Sequence, residues 1–184
     1  MPFATPMEWE LWLEQNHAVS KGIWLQMFKK GSGIASVYYP EALDVALCYG
    51  WIDGQLKSID ELSYMQRFTP RRPRSVWSKR NIEHIARLTK EGRMKPASLK
   101  EAEAAKADGR WDVAYEGQRS MELPADFLGL LSKNKKASEF YEALNKTNKY
   151  AIAWRIQTAK RPETREKRVK EILEMLDREE KFHI

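Results

Sequence analysis

At 184 residues, 42% of them hydrophobic and seven of them tryptophan, the chain carries enough apolar surface for a core, which excludes a disordered polymer. A single cysteine excludes an intramolecular disulfide, and no apolar run approaches transmembrane length. The net charge of +6 reflects no basic tail, because residues 1–108 and 109–184 each hold 16 Lys/Arg and 13 Asp/Glu.

Thr5-Pro6-Met7-Glu8 opens a helix: a Thr N-cap, Pro in the first turn, and Glu three residues after the cap. Trp9, Trp12 and Leu13 share one face, and the helix is expected to end near His17. The first six residues lack the basic and apolar segments of a secretory signal, so the cytoplasm is the expected compartment. Gly22 to Phe28 suits a strand, followed by the turn Lys29-Lys30-Gly31-Ser32-Gly33. A phosphate-binding loop would need Lys-Ser/Thr after its last glycine, and Ile34-Ala35 follow here, so a plain turn is preferred. Tyr39 to Tyr49 is helical, with Ala42, Val45, Ala46 and Tyr49 on a buried face, Cys48 a small buried hydrophobe, and Gly50 the stop.

Trp51 to Ser58 and Tyr64 to Thr69 form a β-hairpin around Asp60-Glu61-Leu62-Ser63. Alternation assigns Ile52, Gly54 and Leu56 to the core, and Trp51, Asp53, Gln55 and Lys57 to a polar face. Pro70 ends the return strand, because proline donates no ladder hydrogen bond. The chain then passes through Arg71-Arg72-Pro73-Arg74-Ser75 into a helix from Lys79 to Glu91, capped by Ser78. Between Leu62 and Ile82 stand Arg67, Arg71, Arg72, Arg74, Lys79 and Arg80, and no acid. The rest of residues 1–108 holds 10 basic and 13 acidic residues, so the excess is local. A local excess favours a specific anion site over diffuse attraction to polyanions.

Pro96 opens an Ala-rich helix that ends before Asp108. Residues 109–123 have no clear period and read as a linker pinned by Trp111 and Tyr115. Beyond it the reading is all helical: starts at Pro124 and Pro162, caps at Asn134 and Thr147, and the stripe Val169, Ile172, Leu173, Leu176. The expected fold is α+β: a small antiparallel sheet of about three strands packed with helices over residues 1–108, then a C-terminal helical module over 124–184 packed on it.

Several stretches resemble the YdeI/OmpD-associated family. They are Gly50-Trp51-Ile52-Asp53-Gly54-Gln55, the run from Arg67 to Ser78, Glu91-Gly92-Arg93-Met94 and Ala107-Asp108-Gly109-Arg110-Trp111. Ala159-Lys160-Arg161-Pro162-Glu163-Thr164-Arg165 is similar to that family's C-terminal, OmdA-type module. The resemblance implies a bacterial protein tied to bacteriocin or cationic-peptide protection and to an outer-membrane porin. It implies no catalytic residues.

The candidate ligand-binding residues are Trp51, Asp53, Gln55, Lys57, Arg67, Arg71, Arg72, Arg74, Ser75, Trp77, Ser78 and Lys79. Pro70 and Pro73 hold the arginines extended, and guanidinium binds carboxylate or phosphate as a bidentate fork. Ser75, Ser78 and the following helix start add donors and positive potential, and Trp51 and Trp77 offer a stacking surface. The alternative is that the arginines pair with Asp53, Asp60 or the acidic last helix, and that the tryptophans are core. Asp53 is the one catalytic candidate, as a general base, although an Asp so placed more often orients an arginine. The Trp154-Arg155, Lys160-Arg161 and Thr164-Arg165 cluster reads as a solvated face with interleaved glutamates.

His17, His84 and His183 have no metal-ligand spacing, and no cofactor is expected. The expected partner is an anionic small molecule or an acidic protein surface, with no membrane insertion. A nucleic-acid-binding module is the second reading, and a small-molecule enzyme with Asp53 as base is the third.

Overall fold

The structure, a computed structural model, describes residues 1–117 and 121–183. Among these are eight helices and one three-stranded antiparallel sheet, an α+β chain with a helical C-terminal region. The chain divides into two compact units, residues 1–113 and 114–184. Residues 118–120 of the expected linker lie outside the described residues.

In the first unit, α1 (Pro6–Asn16) starts where the Thr5 hydroxyl accepts from the Glu8 amide at 3.2 Å. The sheet has the order β1 (Ile23–Phe28), β3 (Ser63–Pro70), β2 (Trp51–Ser58), so β3 is central and β2 an edge. Directly opposed residues share a face of an antiparallel pair. Ile23 opposite Phe68, Leu25 opposite Gln66 and Met27 opposite Tyr64 therefore define the inner face. Trp9 packs on it, 5.6 Å from Phe68 and 6.5 Å from Trp51 between ring centroids, with Trp12 stacked on Trp9 at 5.4 Å. The other, open face carries Trp24, Gln26, Met65, Arg67 and Thr69.

The edge strand departs from simple alternation. Asp53 opposes Phe68 while Leu56 opposes Gln66, so Gly54 and Gln55 together face Arg67 alone. This is a β-bulge, and one extra residue reverses the alternation beyond it. The phase change overturns the expected faces of Trp51, Ile52 and Asp53, while Leu56, opposite Gln66, and Lys57, opposite Met65, keep theirs. Trp51 is only 1% exposed and sits in the aromatic core, with its indole N–H donating to the His17 carbonyl at 3.2 Å. Ile52, opposite Thr69, belongs to the open face, and Leu56 is 61% exposed. The buried Gln66 amide donates to two carbonyls of the bulge, Gly54 O at 2.9 Å and Gln55 O at 3.3 Å.

Helix α2 (Tyr39–Cys48) is buried along most of its length and ends at Gly50. Gly50 has φ +74°, a left-handed conformation that favours glycine, and the backbone of α4 (Pro96–Ala107) passes close by, with Ser98 Cα 3.5 Å from where a Cβ would stand. Ser98 is itself buried and donates to Leu47 O at 2.6 Å. Between them α3 (Lys79–Lys90) begins at Ser78, whose Oγ accepts from the Asn81 amide at 3.2 Å.

The second unit is a helical bundle of α5 (Ala125–Leu131), α6 (Lys135–Ala143), α7 (Lys146–Gln157) and α8 (Pro162–Asp177). Phe127, Leu131, Ile152, Ile156, Ile172 and Leu176 lie in its core. The cap of α7 is Asn145, whose Oδ1 accepts from the Asn148 amide at 2.9 Å, rather than Thr147. Asn148 is buried and exchanges two hydrogen bonds with the His183 backbone, which ties the chain end to α7. Arg165 grips Asp126 with both terminal nitrogens, 2.6 and 2.8 Å, and joins α8 to α5.

Candidate functional site

The basic run separates into two kinds of arginine. Arg71 is buried, 7% exposed. Its amide donates to Gly50 O at 2.9 Å, its Nη1 donates to Ser75 Oγ at 3.3 Å and Val76 O at 3.2 Å, and its Cζ lies 3.7 Å from the Trp77 ring centroid. Trp77 is 2% exposed and packs on Trp111 at 4.9 Å. Arg71, Trp77, Trp51 and the helix-capping Ser78 are therefore framework, which corrects their expected role as ligand contacts.

That framework shapes a turn. The Ser75 amide donates to Arg72 O at 3.1 Å, with Pro73 and Arg74 as the central residues. Arg74 has φ +61°, so the turn is of type II, which favours Pro second and a left-handed residue third. Glycine is usual in that third place, and a side chain there costs roughly 1 kcal/mol. The turn is braced from outside by Arg110, also 7% exposed, whose Nη1 donates to Ser75 O at 3.0 Å while its Nε lies 2.7 Å from both Asp108 oxygens. Two separate motifs, Arg67–Ser78 and Asp108–Trp111, thus build one structure.

Arg72 and Arg74 are exposed, and no ion pair to either is present among the described residues. Arg72 lines an open cavity of about 380 Å³ with Arg67, Thr69, Ser75, Gln55 and Gly54, together with Ile52, Asp53 and Pro70. The size falls in the range of small-ligand sites. Arg67 stands on the open sheet face opposite Trp24, whose ring it approaches at 5.8 Å; Lys57 covers the same ring at 4.6 Å. The bulge is what turns Lys57 onto this face. Lys79 is exposed at the start of α3 and, like Arg74, does not line the cavity.

Asp53 points the other way. It shares the inner face with Phe68, and its Oδ2 accepts from the Tyr39 hydroxyl at 2.9 Å. Burial drives the Tyr39 phenol well above its ordinary pKa, and the adjacent Asp53 charge adds to the rise. Arg80 lies 5.6 Å from the Tyr39 ring. The arrangement anchors β2 to α2, with Asp53 as acceptor, and places no arginine fork on its carboxylate.

Sequence reasoning missed Tyr39, Trp24, Gln66 and Arg110. Only Arg110 carried a signal, through its place in the Asp108-Gly109-Arg110-Trp111 motif. A further cluster joins α2 to α3: Asp44 Oδ1 is 2.7 Å from His84 Nδ1, and Arg87 reaches both Asp44 oxygens at 2.7 and 2.6 Å. Among the described residues no group of three or more His, Cys, Asp or Glu is placed to hold a metal, and no helix is long and apolar enough to cross a membrane.

Residues 1–101 match the family model described as a domain of unknown function, DUF8412. Residues 120–179 match the family described as bacteriocin-protection, YdeI or OmpD-associated. No curated protein and no solved structure matches the chain.

Proposed function

We propose that this chain, which belongs to the DUF8412 family through residues 1–101 and carries a bacteriocin-protection, YdeI or OmpD-associated module at 120–179, binds an anionic ligand on the open face of its sheet. The observation that carries this reading is that Arg67 and Arg72 line one cavity with the hydroxyl-bearing Thr69 and Ser75. No salt bridge to Arg67 or Arg72 is present among the described residues, and a guanidinium group binds carboxylate or phosphate as a bidentate fork. Arg71 and Arg110 support the reading indirectly, because their hydrogen bonds fix the turn on which Arg72 stands. Its capture is the contribution of the first domain to a protective role of the kind the second module's family is described by.

The single turn and the compact cavity favour a small ligand over an extended nucleic acid, which requires a track of several cationic contacts. The hydrogen bond from Tyr39 and the inward face of Asp53 argue against a general base there. Thermal-shift measurement with a panel of phosphates and carboxylates tests the proposal. At least one anion raises the melting temperature of the wild type, and Arg67→Ala/Arg72→Ala abolishes that shift. Equal shifts in both proteins refute it.

A further inference from the structure

Gly54 lies in the floor of the Arg67/Arg72 cavity, in the interior of β2. Nothing in the fold requires a glycine there. Its backbone is not among the left-handed glycines of the described residues, so it is not the glycine-dependent kind of bulge. A Cβ at this position would meet only Arg67 O at 3.7 Å and Arg67 Cβ at 3.9 Å, both ordinary contacts. A glycine in a strand interior also costs backbone entropy relative to alanine. What the missing side chain does is keep the cavity floor open beside Arg67. Glycine inside a strand marks a bulge or a place where a ligand or another backbone approaches closely, and this bulge does not itself demand one.

The cavity draws its donors from two separate elements of the fold. Arg67 and Thr69 come from β3, while Arg72 and Ser75 come from the turn. Ser75 Oγ accepts from Arg71, which leaves its own proton to donate. A planar carboxylate presents two oxygens in one plane, whereas a phosphate monoester presents three around phosphorus and suits donors from separate elements. Gln55 stands at the floor beside Gly54, with its amide available to a polar substituent.

Resting on the anion-binding reading above, the geometry points to a small phosphate monoester as the ligand, its phosphate held by Arg67, Arg72, Thr69 and Ser75 and its organic body lying against the Gly54 backbone. A sugar phosphate and a mononucleotide share this chemistry.

Calorimetric titration of the full chain with glucose 6-phosphate, AMP, inorganic phosphate and citrate tests it. At least one monoester binds tenfold or more tighter than inorganic phosphate, and the better of the two identifies the body. Gly54→Val brings the monoester down to the level of inorganic phosphate and changes inorganic phosphate itself less than twofold. Arg72→Ala weakens all three phosphates. If inorganic phosphate binds but Gly54→Val leaves the monoesters unaffected, or citrate binds as tightly as they do, this inference fails and the anion site stands. If none of the four binds, the anion site fails with it. Should Gly54→Val fold poorly, Gly54→Ala shows the same direction with a smaller loss. The Gly54 amide resonance of the wild type also shifts with the better monoester, and its failure to move overturns the inference.

Discussion

The Arg71 guanidinium carbon sits 3.7 Å from the centre of the Trp77 ring, and the same arginine bonds Ser75 across the turn. The most buried arginine of the basic run is thus a bracket between the end of the sheet and the start of α3. Its neighbours Arg72 and Arg74 are carried outward by that bracket. Replacing Arg71 with alanine removes a desolvated cation–π contact and charged hydrogen bonds, and is expected to cost roughly 2–4 kcal/mol of stability. Arg72→Ala, at an exposed site, stays within about 0.5 kcal/mol of wild type. Urea denaturation followed by tryptophan fluorescence compares the two.

Arg74 supplies a second, opposite prediction. A side chain at φ +61° is strained, and glycine accepts that conformation freely. Arg74→Gly raises stability by up to about 1 kcal/mol, whereas Arg74→Ala, which keeps a Cβ at the same φ, gives no gain. A pair of thermal melts distinguishes them, and a loss of stability in the glycine variant contradicts the type II turn.

The bond between Tyr39 and Asp53 is measurable as a coupling. Tyr39→Phe and Asp53→Asn each loosen the anchor between α2 and β2, and a double-mutant cycle gives an interaction of about 1 kcal/mol. Neither substitution changes anion affinity more than about threefold if Asp53 serves the fold. A general base at Asp53 predicts a different result, a large effect on turnover with little coupling to Tyr39.

Asp44 ties acid stability to the α2–α3 junction. Burial alone would raise its pKa, but the hydrogen bonds from Arg87 and His84 outweigh it and hold the carboxyl below its ordinary value. A carboxyl with a depressed folded pKa binds fewer protons in the folded state. Its contribution is complete above the unfolded value, near 3.9, and is lost as pH falls through the lower folded value. Asp44→Asn therefore costs roughly 1–2 kcal/mol at neutral pH. The difference from wild type shrinks in melts run at pH values below about 4.

Much of this fold was legible because it is locally encoded. Thr5, Ser78 and Asn134 cap helices as their side chains predict, Pro6 and Pro162 open them, and Gly50 ends α2. The bulge was not legible, because it consists of two residues opposing Arg67, and the opposing strand is a tertiary fact. With it went the faces of Trp51, Ile52 and Asp53, whereas Leu56 and Lys57, beyond the bulge, stand on the faces their alternation predicts. The basic run was visible as a run, but nothing local distinguishes Arg71, which finds Trp77 and Ser75, from Arg72, which faces the cavity. The brace from Arg110 lies 35 residues from Ser75 and shows only once the chain is folded.

The central claim is that an anion binds between Arg67, Arg72, Thr69 and Ser75. A ¹H–¹⁵N correlation spectrum of the full chain, titrated with inorganic phosphate at low ionic strength, reads that location directly. Saturable shifts confined to the amides of residues 67–75 and of Gly54 and Gln55, absent in Arg72→Ala, are the predicted result. Shifts that follow the basic side of α8 instead, or none that saturate, would contradict it.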